Sequence, residues 1–497
     1  MKPQIKHIIE FQGTSNIAFG HWLFFCLLIS ALSFSSCKKF LEIPPPKNGL
    51  VTASVFDNNS SATSAQIAIY GQMCINAESY RMSAHVGMYA DELRNYCSSS
   101  YLVQLYTNLL VANGSTQPYA NWSGYYSYIY QANAVISGLQ TTAGCSAAVK
   151  QQLTGEAYFI RAFWYFYLTN IYGDVPLVLT TSYITNSTIP RSSRVLVLHQ
   201  VIADLTTAEN MLNSNYVDGT DTVITTERVR PTKVGAQALL ARAYLYLADY
   251  DGATASFAKA EAEADTVISN SAYSLSPLNE VFLKNSSEAI WQLQTLPNQP
   301  SDTPDAADFI LLGAPSTTSV NNCTTISTEL IDSFEPNDQR LVAWIGSITE
   351  GTTTYYFPYK YKNYTYAGTE YDMVLRLGEQ FLIRAEARAE QGNLPGAMAD
   401  LNMIRSRAAL PNYSGTKTQA AVLTAILHER QVELFTEWGH RWFDLCRTGN
   451  APIVMGGPNG VCQAKGGTWN PDNYQLLFPI PQADRSADPN LTQNIGY

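Results

Sequence analysis

The chain has 497 residues, too many for one ordinary hydrophobic core, and 46% of them are hydrophobic, as in globular proteins. Its formal net charge is −10 at pH 7. Proteins that bind nucleic acid or anionic lipid surfaces obtain much of their affinity from Lys and Arg side chains, so this charge argues against both partners. The 31 tyrosines offer flat apolar faces with a hydroxyl group, which suit sugars as well as ordinary packing.

The first 36 residues have the pattern of an export signal. Lys2 and Lys6 precede an apolar run, Trp22–Phe34, which is too short to stay in a bilayer as a spanning helix. Small residues and then Cys37 follow this run, as in bacterial lipoproteins. We expect cleavage before Cys37 and acylation of this cysteine, which would anchor the chain to a membrane. An ordinary signal peptide with a chance cysteine is the alternative.

A proline-containing linker comes next, and helical patterns follow it. Apolar residues at helical spacing predict helices over 62–80, 119–140, 147–171 and about 194–213. The helix over 147–171 is apolar nearly all round, so we expect it to be buried on several sides. The segment after Tyr89 is interpreted as rich in loops.

A repeated helical hairpin gives the clearest indication of the fold. Within 231–269, Pro231 is placed in a first helical turn, and two helices meet at the turn Asp249–Gly252. Small and large residues alternate along both helices, which is similar to a tetratricopeptide repeat. The pattern returns over 379–409. The sequence therefore predicts a mainly α fold, a tetratricopeptide-like helical-repeat scaffold with a loop-rich, partly β insertion.

Strand-like runs at 288–294 and 353–359 lie between the two hairpins, among loops rich in Pro, Ser, Thr, Asp and Asn. Binding residues are often on such loops. We divide the chain accordingly into six segments: a lipoprotein signal peptide (1–36), an N-terminal linker (37–61), a first helical part (62–270), a loop-rich ligand-binding insertion (271–370), a second helical part (371–447) and an irregular C-terminal segment (448–497).

The stretch Glu429–Arg447 concentrates charged and aromatic residues. Glu433, Glu437 and His440 fall about one helical turn apart, so a metal site or a glycosidase carboxylate is conceivable. No convincing third ligand accompanies them, and Glu alternates with Arg as in structural ion pairs. We interpret the stretch as a helix that docks on the scaffold through its aromatic side chains, Phe435, Trp438 and Trp442.

The remaining motifs point to no catalytic chemistry. The cysteines after Cys37 lack the close spacing of a zinc or redox site. They permit disulfides, with Cys446–Cys462 as the most plausible pair, or they stay as buried thiols. Serine-hydrolase, zinc-protease and phosphate-loop motifs are missing after the leader. We expect no enzyme activity, no cofactor and no metal.

Five segments together carry a family resemblance: Cys37–Glu42; Gly155–Arg161 with Tyr172–Pro176; Leu375–Glu386; Glu429–Glu433 with Gly439–Asp444; and Phe478–Pro481 with Asn490–Tyr497. The chain resembles the SusD/RagB-type outer-membrane nutrient-binding lipoproteins, and the resemblance runs from the leader to the C-terminus. One departure is Asp484, where the family usually has Glu after Ile-Pro-x-x.

The resemblance implies a surface-exposed lipoprotein of the outer membrane, with tetratricopeptide-like helices. Such a protein docks on a SusC-like TonB-dependent transporter and captures oligosaccharides or other nutrients without cleaving them. Two rival interpretations are a surface glycosidase and a helical-repeat adaptor that binds only protein.

The family places ligand binding in loops near the start of the mature chain and in the central insertion. No motif fixes individual residues there, so the resemblance gives regions only, and each residue could serve packing instead. The candidates in these regions are Tyr89, Asp91, Arg94, Asn95, Tyr96, Tyr101, Trp344, Tyr355 and Tyr356.

Overall fold

A computed structural model describes residues 55–112, 122–297 and 299–497. The signal peptide, Cys37 and most of the linker lie outside the described residues. The division into six segments therefore stays a prediction. In the described part, none of the helices combines the length and the apolar character that crossing a membrane requires.

The chain is mainly helical, as predicted. The helices of the first half are α1 (Asn59–Ile75), α2 (Glu78–Tyr89), α3 (Ser100–Tyr106), α4 (Trp122–Thr141), α5 (Ala147–Tyr172), α6 (Tyr183–Asn186), α7 (Arg194–Met211), α8 (Lys233–Asp251) and α9 (Thr254–Ile268). The helices of the second half are α10 (Pro304–Phe309), α11 (Thr328–Ile331), α12 (Gln339–Trp344), α13 (Leu377–Glu390), α14 (Leu394–Arg407), α15 (Gln419–Leu434), α16 (His440–Arg447), α17 (Ala451–Met455), α18 (Val461–Ala464) and α19 (Gln482–Ala487).

The strands form small two-stranded antiparallel sheets. They are β1 (Leu93–Asn95), β2 (Val175–Pro176), β3 (Arg191–Ser192), β4 (Ala289–Leu293), β5 (Thr324–Ile326), β6 (Ile345–Glu350), β7 (Thr353–Pro358) and β8 (Asp372–Arg376). The pairs are β1–β5, β2–β3, β4–β8 and β6–β7. β4 and β7 confirm the two strand-like runs of the insertion.

The predicted helical hairpins are α8–α9 and α13–α14, and α9 packs against α13. Gly252 ends α8 in the left-handed conformation, with φ of 69°, which glycine adopts without steric cost. One detail of the prediction is wrong. Pro231 precedes the helix, because Thr232 is the N-cap residue and its hydroxyl accepts a hydrogen bond from Gly235.

The long helix α5 lies in the core, which confirms the interpretation of its apolar surface. Trp164 of α5 is completely buried and stacks on two tyrosines of α4. Its ring centroid lies 4.5 Å from that of Tyr125 and 4.8 Å from that of Tyr128. Offset stacking of this kind adds about 0.5–1.5 kcal/mol to the burial itself.

Two predicted helices are interrupted in the structure. The helix over 62–80 is divided between α1 and α2, where Ala77 takes a left-handed conformation. α2 then continues to Tyr89, into the segment interpreted as loop. The helix over Glu429–Arg447 is divided between α15 and α16, where Thr436, Trp438 and Gly439 have positive φ. Helical spacing alone does not reveal such breaks, because the periodicity continues across them.

Of the two alternatives for the cysteines, free thiols are correct, and no disulfide joins Cys446 to Cys462. The six cysteines of the described chain are free. The sulfur of Cys446 lies 3.9 Å from the carbonyl oxygen of Leu476, and the sulfur of Cys462 lies 3.7 Å from that of Thr107. The two thiols therefore face different surroundings.

Candidate functional site

The charged stretch Glu429–Arg447 forms a buried ionic network. Glu433, at the end of α15, is completely buried. Its carboxylate accepts a hydrogen bond of 2.6 Å from Arg376 and another from Arg407. Glu437 accepts a hydrogen bond of 2.7 Å from the same Arg376. Each charge is thus compensated within the protein, as buried charges require.

The network fixes the protonation states of these groups. Burial by itself would raise the pKa of Glu433, but Arg407, Arg376 and Arg340 lower it well below the ordinary value. Burial lowers the pKa of His440, and nearby arginines lower it further. A glycosidase acid needs a carboxyl group whose pKa is raised. Glu433 has the opposite shift, so it does not suit the role of general acid.

Trp438 and Trp442 pack against the helical scaffold, as predicted, whereas Phe435 packs against Phe334 and Trp344 of the insertion. The ring of Trp438 lies 5.2 Å from that of Phe163 and 5.5 Å from that of Tyr167, both in α5. The ring of Trp442 meets Tyr89 edge to face at 4.8 Å. These centroid distances are typical of aromatic pairs in protein cores.

Three of the predicted ligand residues are buried, so they are removed from the set of candidate ligand contacts. Tyr89 and Trp344 have no exposed surface. The Tyr89 hydroxyl donates to the carbonyl of Gln475 at 2.8 Å, and the Trp344 ring nitrogen donates to that of Leu278 at 2.9 Å. Asp91 is 4% exposed and pairs with Arg441 at 2.6 Å. A ligand cannot reach these side chains in this structure.

Four other predicted residues line one surface pocket of about 200 Å³. Arg94 lies on β1 and Tyr96 just after it, whereas Tyr355 and Tyr356 lie on β7. β5 pairs with β1 and packs against β7, so it brings the two segments together. We call this cavity the tyrosine pocket.

The tyrosine pocket combines aromatic rings, hydroxyl groups and one guanidinium group. Tyr96 and Tyr355 meet edge to face with ring centroids 5.8 Å apart, and Tyr356 is 43% exposed. Arg94 donates a hydrogen bond of 2.7 Å to the hydroxyl of Thr328. Six further lining residues were not predicted from the sequence: Thr325, Ile326, Ser327, Thr328 and Ile331 on β5 and the segment after it, and Thr354 on β7. Short Ser and Thr residues in a loop-rich segment give no distinctive signal.

The last two predicted residues do not line the pocket. The side-chain amide of Asn95 donates to the carbonyl of Cys97 at 2.9 Å and accepts from its N–H at 3.0 Å, which closes a local turn. Tyr101, on α3, is half-buried, and its ring lies 6.0 Å from that of His85. The candidate set is thereby reduced to Arg94, Tyr96, Tyr355 and Tyr356.

Cavities of considerably larger volume lie elsewhere in the described chain. One of about 340 Å³, mostly apolar, lies between α1, the segment 217–230 and residues 294–297. Another of about 640 Å³ lies between the start of α7 and the C-terminal segment. None of the sequence-predicted ligand residues lines either cavity. Across residues 55–112, 122–297 and 299–497, no cluster of three His, Cys, Asp or Glu side chains is arranged to hold a metal ion.

Two models of known protein families match this chain. A family model described as "SusD family" matches residues 341–497. A second model, described as "Starch-binding associating with outer membrane", matches residues 39–245. The chain is SusD-like. The two models match at opposite ends of the chain, so this assignment does not depend on a single segment.

Individual relatives agree with this assignment. SusD-like protein P38 of Formosa agariphila is 25% identical to this chain. The alignment covers 95% of this chain and 98% of that protein. The starch-binding protein SusD of Bacteroides thetaiotaomicron is 32% identical over 136 residues, which are 27% of this chain and 22% of that protein.

Solved structures share the fold. A SusD superfamily protein from Bacteroides vulgatus has a TM-score of 0.72 at 23% identity and covers 88% of this chain and 99% of its own. Surface glycan-binding protein A from Bacteroides uniformis has a TM-score of 0.69 at 20% identity, with the same coverage. These likenesses confirm the helical-repeat architecture.

Proposed function

We propose that this SusD-like chain is a surface lipoprotein that captures a glycan in the tyrosine pocket and delivers it to a TonB-dependent outer-membrane transporter. The observation that carries the proposal is the convergence of Arg94, Tyr96, Tyr355 and Tyr356. These residues come from two segments far apart in the sequence, and the family resemblance implies ligand binding in both.

The chemistry of the tyrosine pocket suits a sugar. The C–H faces of sugar rings stack on aromatic rings, and Tyr96 and Tyr356 are accessible at the protein surface. The hydroxyl group of Thr354 and the guanidinium of Arg94 can hydrogen-bond to sugar hydroxyls, whereas the buried Ser327 hydroxyl already bonds to Asp91 and Leu330. A pocket of about 200 Å³ is below the usual range for drug-sized ligands and fits one or two sugar units of a longer chain.

The same geometry favours binding without cleavage. Glycosidases use a pair of Asp or Glu residues on either side of the scissile bond. The described residues that line the tyrosine pocket include no Asp or Glu. The carboxylates of Glu433 and Glu437, which the sequence raised as catalytic candidates, are buried among arginines and lysine. This supports a carrier that releases its ligand unchanged.

Titration calorimetry of the mature chain with a panel of oligosaccharides tests the capture step. We expect Tyr96→Ala and Tyr356→Ala each to weaken binding of the recognised glycan about tenfold or more, because each removes a stacking surface. Tyr183→Ala is the matched control, because Tyr183 is 82% exposed and does not line the pocket. Equal affinity of all four proteins would refute the choice of site.

Delivery and anchoring need cellular experiments. If the chain docks on a transporter, a tagged copy should copurify with a barrel protein from solubilised outer membranes. Sugar release by the purified chain would instead establish the glycosidase alternative. Copurification with a barrel protein, together with no binding to any glycan of the panel, would favour the adaptor alternative.

A further inference from the structure

Arg94 is the charged residue among the side chains that line the tyrosine pocket. The other lining residues are neutral: Tyr96, Thr325, Ile326, Ser327, Thr328, Ile331, Thr354, Tyr355 and Tyr356. The chain as a whole carries a net charge of −10, so the positive charge of this pocket is opposite in sign to that of the whole chain. A bound group of negative charge would be stabilised there.

Most N–H donors of the Arg94 guanidinium are available to a ligand. One terminal nitrogen donates to the hydroxyl of Thr328 at 2.7 Å, which holds the side chain against the start of α11. The other N–H groups of Arg94 form no hydrogen bond within the described part of the chain. A guanidinium presents its donors in a planar fork that matches the oxygens of a carboxylate or a sulfate.

Within residues 55–112, 122–297 and 299–497, Arg94 forms no ion pair with an acidic side chain. Glu329 is the residue after Thr328 and Glu350 ends β6, but neither lines the tyrosine pocket. Among the described residues, no carboxylate lies within 4.0 Å of the Arg94 guanidinium, whereas the buried Arg376 pairs with Glu433 and Glu437. The positive charge of Arg94 is thus available to a ligand, while the charge of Arg376 is used inside the fold.

We propose that the tyrosine pocket takes an acidic glycan, and that Arg94 binds the carboxylate or sulfate group of one sugar unit. This inference rests on the proposed glycan-binding function and names its substrate class. Tyr96 and Tyr356 would stack on the ring of the acidic sugar while Arg94 binds its anionic group. The negative charge of the rest of the protein opposes the approach of a polyanion, but physiological salt screens it beyond about 8 Å. The contact with Arg94 acts within that distance.

Affinity electrophoresis and calorimetry with three polysaccharide classes test the proposal. Starch represents neutral glycans, polygalacturonate represents carboxylated glycans, and carrageenan represents sulfated glycans. We expect the mature chain to bind an acidic class more tightly than starch, and the class that binds distinguishes carboxylate from sulfate. Arg94→Gln should lower that affinity roughly tenfold to hundredfold, the loss typical of one charge-assisted hydrogen-bonded contact.

Two controls separate charge from folding. Lys417→Gln removes an exposed positive charge that does not line the pocket and should leave affinity unchanged. Arg94→Lys keeps the charge and should retain part of the affinity. A test that needs no variant uses polygalacturonate whose carboxyl groups have been reduced to alcohols, which should bind wild-type protein at least tenfold more weakly.

The outcomes distinguish this inference from the function on which it rests. Tight binding of starch that Tyr96→Ala abolishes and Arg94→Gln leaves intact would overturn the acidic specificity and retain glycan capture. Unchanged binding of the carboxyl-reduced polymer would overturn a carboxylate ligand in the same way. Failure of every glycan class to bind would overturn the proposed function itself.

Discussion

The ring of Tyr96 meets the ring of Tyr355 edge to face, with centroids 5.8 Å apart and planes at 82°. Tyr96 follows β1 near the N-terminal end of the described chain, whereas Tyr355 lies on β7 in the central insertion. The contact joins the two segments at the tyrosine pocket, so each ring helps to position the other.

This contact predicts non-additive effects on ligand binding. Tyr96→Ala and Tyr355→Ala should each weaken glycan affinity, and the double variant should bind about as weakly as the worse single variant. Loss of either ring already disturbs the arrangement, and residues in contact commonly show coupling of about 0.5–3 kcal/mol. Calorimetry of the full cycle measures the coupling. Strictly additive losses would show that the rings act independently.

Replacing the central carboxylate of the ionic network should destabilise the fold. Glu433→Gln leaves Arg376 and Arg407 without full compensation in a buried site, and breaking a buried pair costs about 3–5 kcal/mol. Chemical denaturation measures the loss. The exposed Glu350→Gln serves as the control and should change the unfolding free energy by less than about 0.5 kcal/mol. Glycan affinity of the folded Glu433→Gln protein should stay close to that of wild type.

The break between α15 and α16 requires a glycine. Gly439 has φ of 75°, and a Cβ atom there would lie 3.0 Å from Val86 and 3.1 Å from Phe443. Gly439→Ala should therefore destabilise the protein through both backbone strain and crowding. Gly252→Ala is a matched control with strain alone, because φ is 69° and no atom lies within 4 Å of the added carbon. We expect a loss of about 1 kcal/mol for Gly252→Ala and a clearly larger loss for Gly439→Ala. Thermal melting of the two variants provides the comparison.

A buried pair of aspartates predicts a dependence of stability on pH. Burial and the neighbouring Asp308 raise the pKa of Asp305 to about 7, and burial and Asp305 raise that of Asp372 well above its ordinary value. Both carboxyls of the pair have oxygens without a hydrogen-bond partner in the described chain. The folded protein therefore holds a proton that the unfolded chain releases above about pH 4. The associated stability is complete below that pH and is lost as the pH rises through 7.

Asp305→Asn removes this titration. Relative to wild type, the variant should gain in unfolding free energy between pH 5 and pH 8, because asparagine carries no charge at either pH. Denaturant unfolding at the two pH values gives the difference. A constant difference between variant and wild type would mean that Asp305 is already ionised in the folded protein at pH 5.

The proposed lipid anchor leads to a separate prediction, which concerns Cys37, outside the described residues. Cys37→Ala should prevent acylation and move the protein from the membrane fraction to the soluble fraction after cell breakage. Labelling with a radioactive fatty acid measures the modification directly. A variant that stays fully labelled and membrane-bound would disprove acylation at Cys37.

The sequence predicted the helical scaffold well because its signals are local. Alternating small and large residues, with turns at Gly252 and Gly392, specify the hairpins α8–α9 and α13–α14. The break at Phe435–Gly439 was missed because Trp438, in a left-handed conformation, is stabilised by tertiary packing against Phe163 and Tyr167. Such packing leaves no trace in the periodicity.

The candidate site was predicted only by region. Composition cannot separate Trp344, which is completely buried, from Tyr356, which is 43% exposed, since both are aromatic residues in a polar insertion. Their difference arises from the placement of β7 at the surface and of the end of α12 inside the fold. Thr328 gives no sequence signal, because its importance depends on its distance from Arg94.

The ionic network around Glu433 has a consequence for how the molecule unfolds. It links Arg407 of α14 and Glu433 of α15 to Glu288 beside β4 and Arg376 of β8, so it joins the repeat helices to the insertion and to the strand that follows it. Residues 271–370 excised as a fragment would retain Glu288 but lose the arginines that compensate it. Scaffold and insertion should therefore melt in one cooperative transition, with amide protons near β4 and α15 exchanging at similar rates.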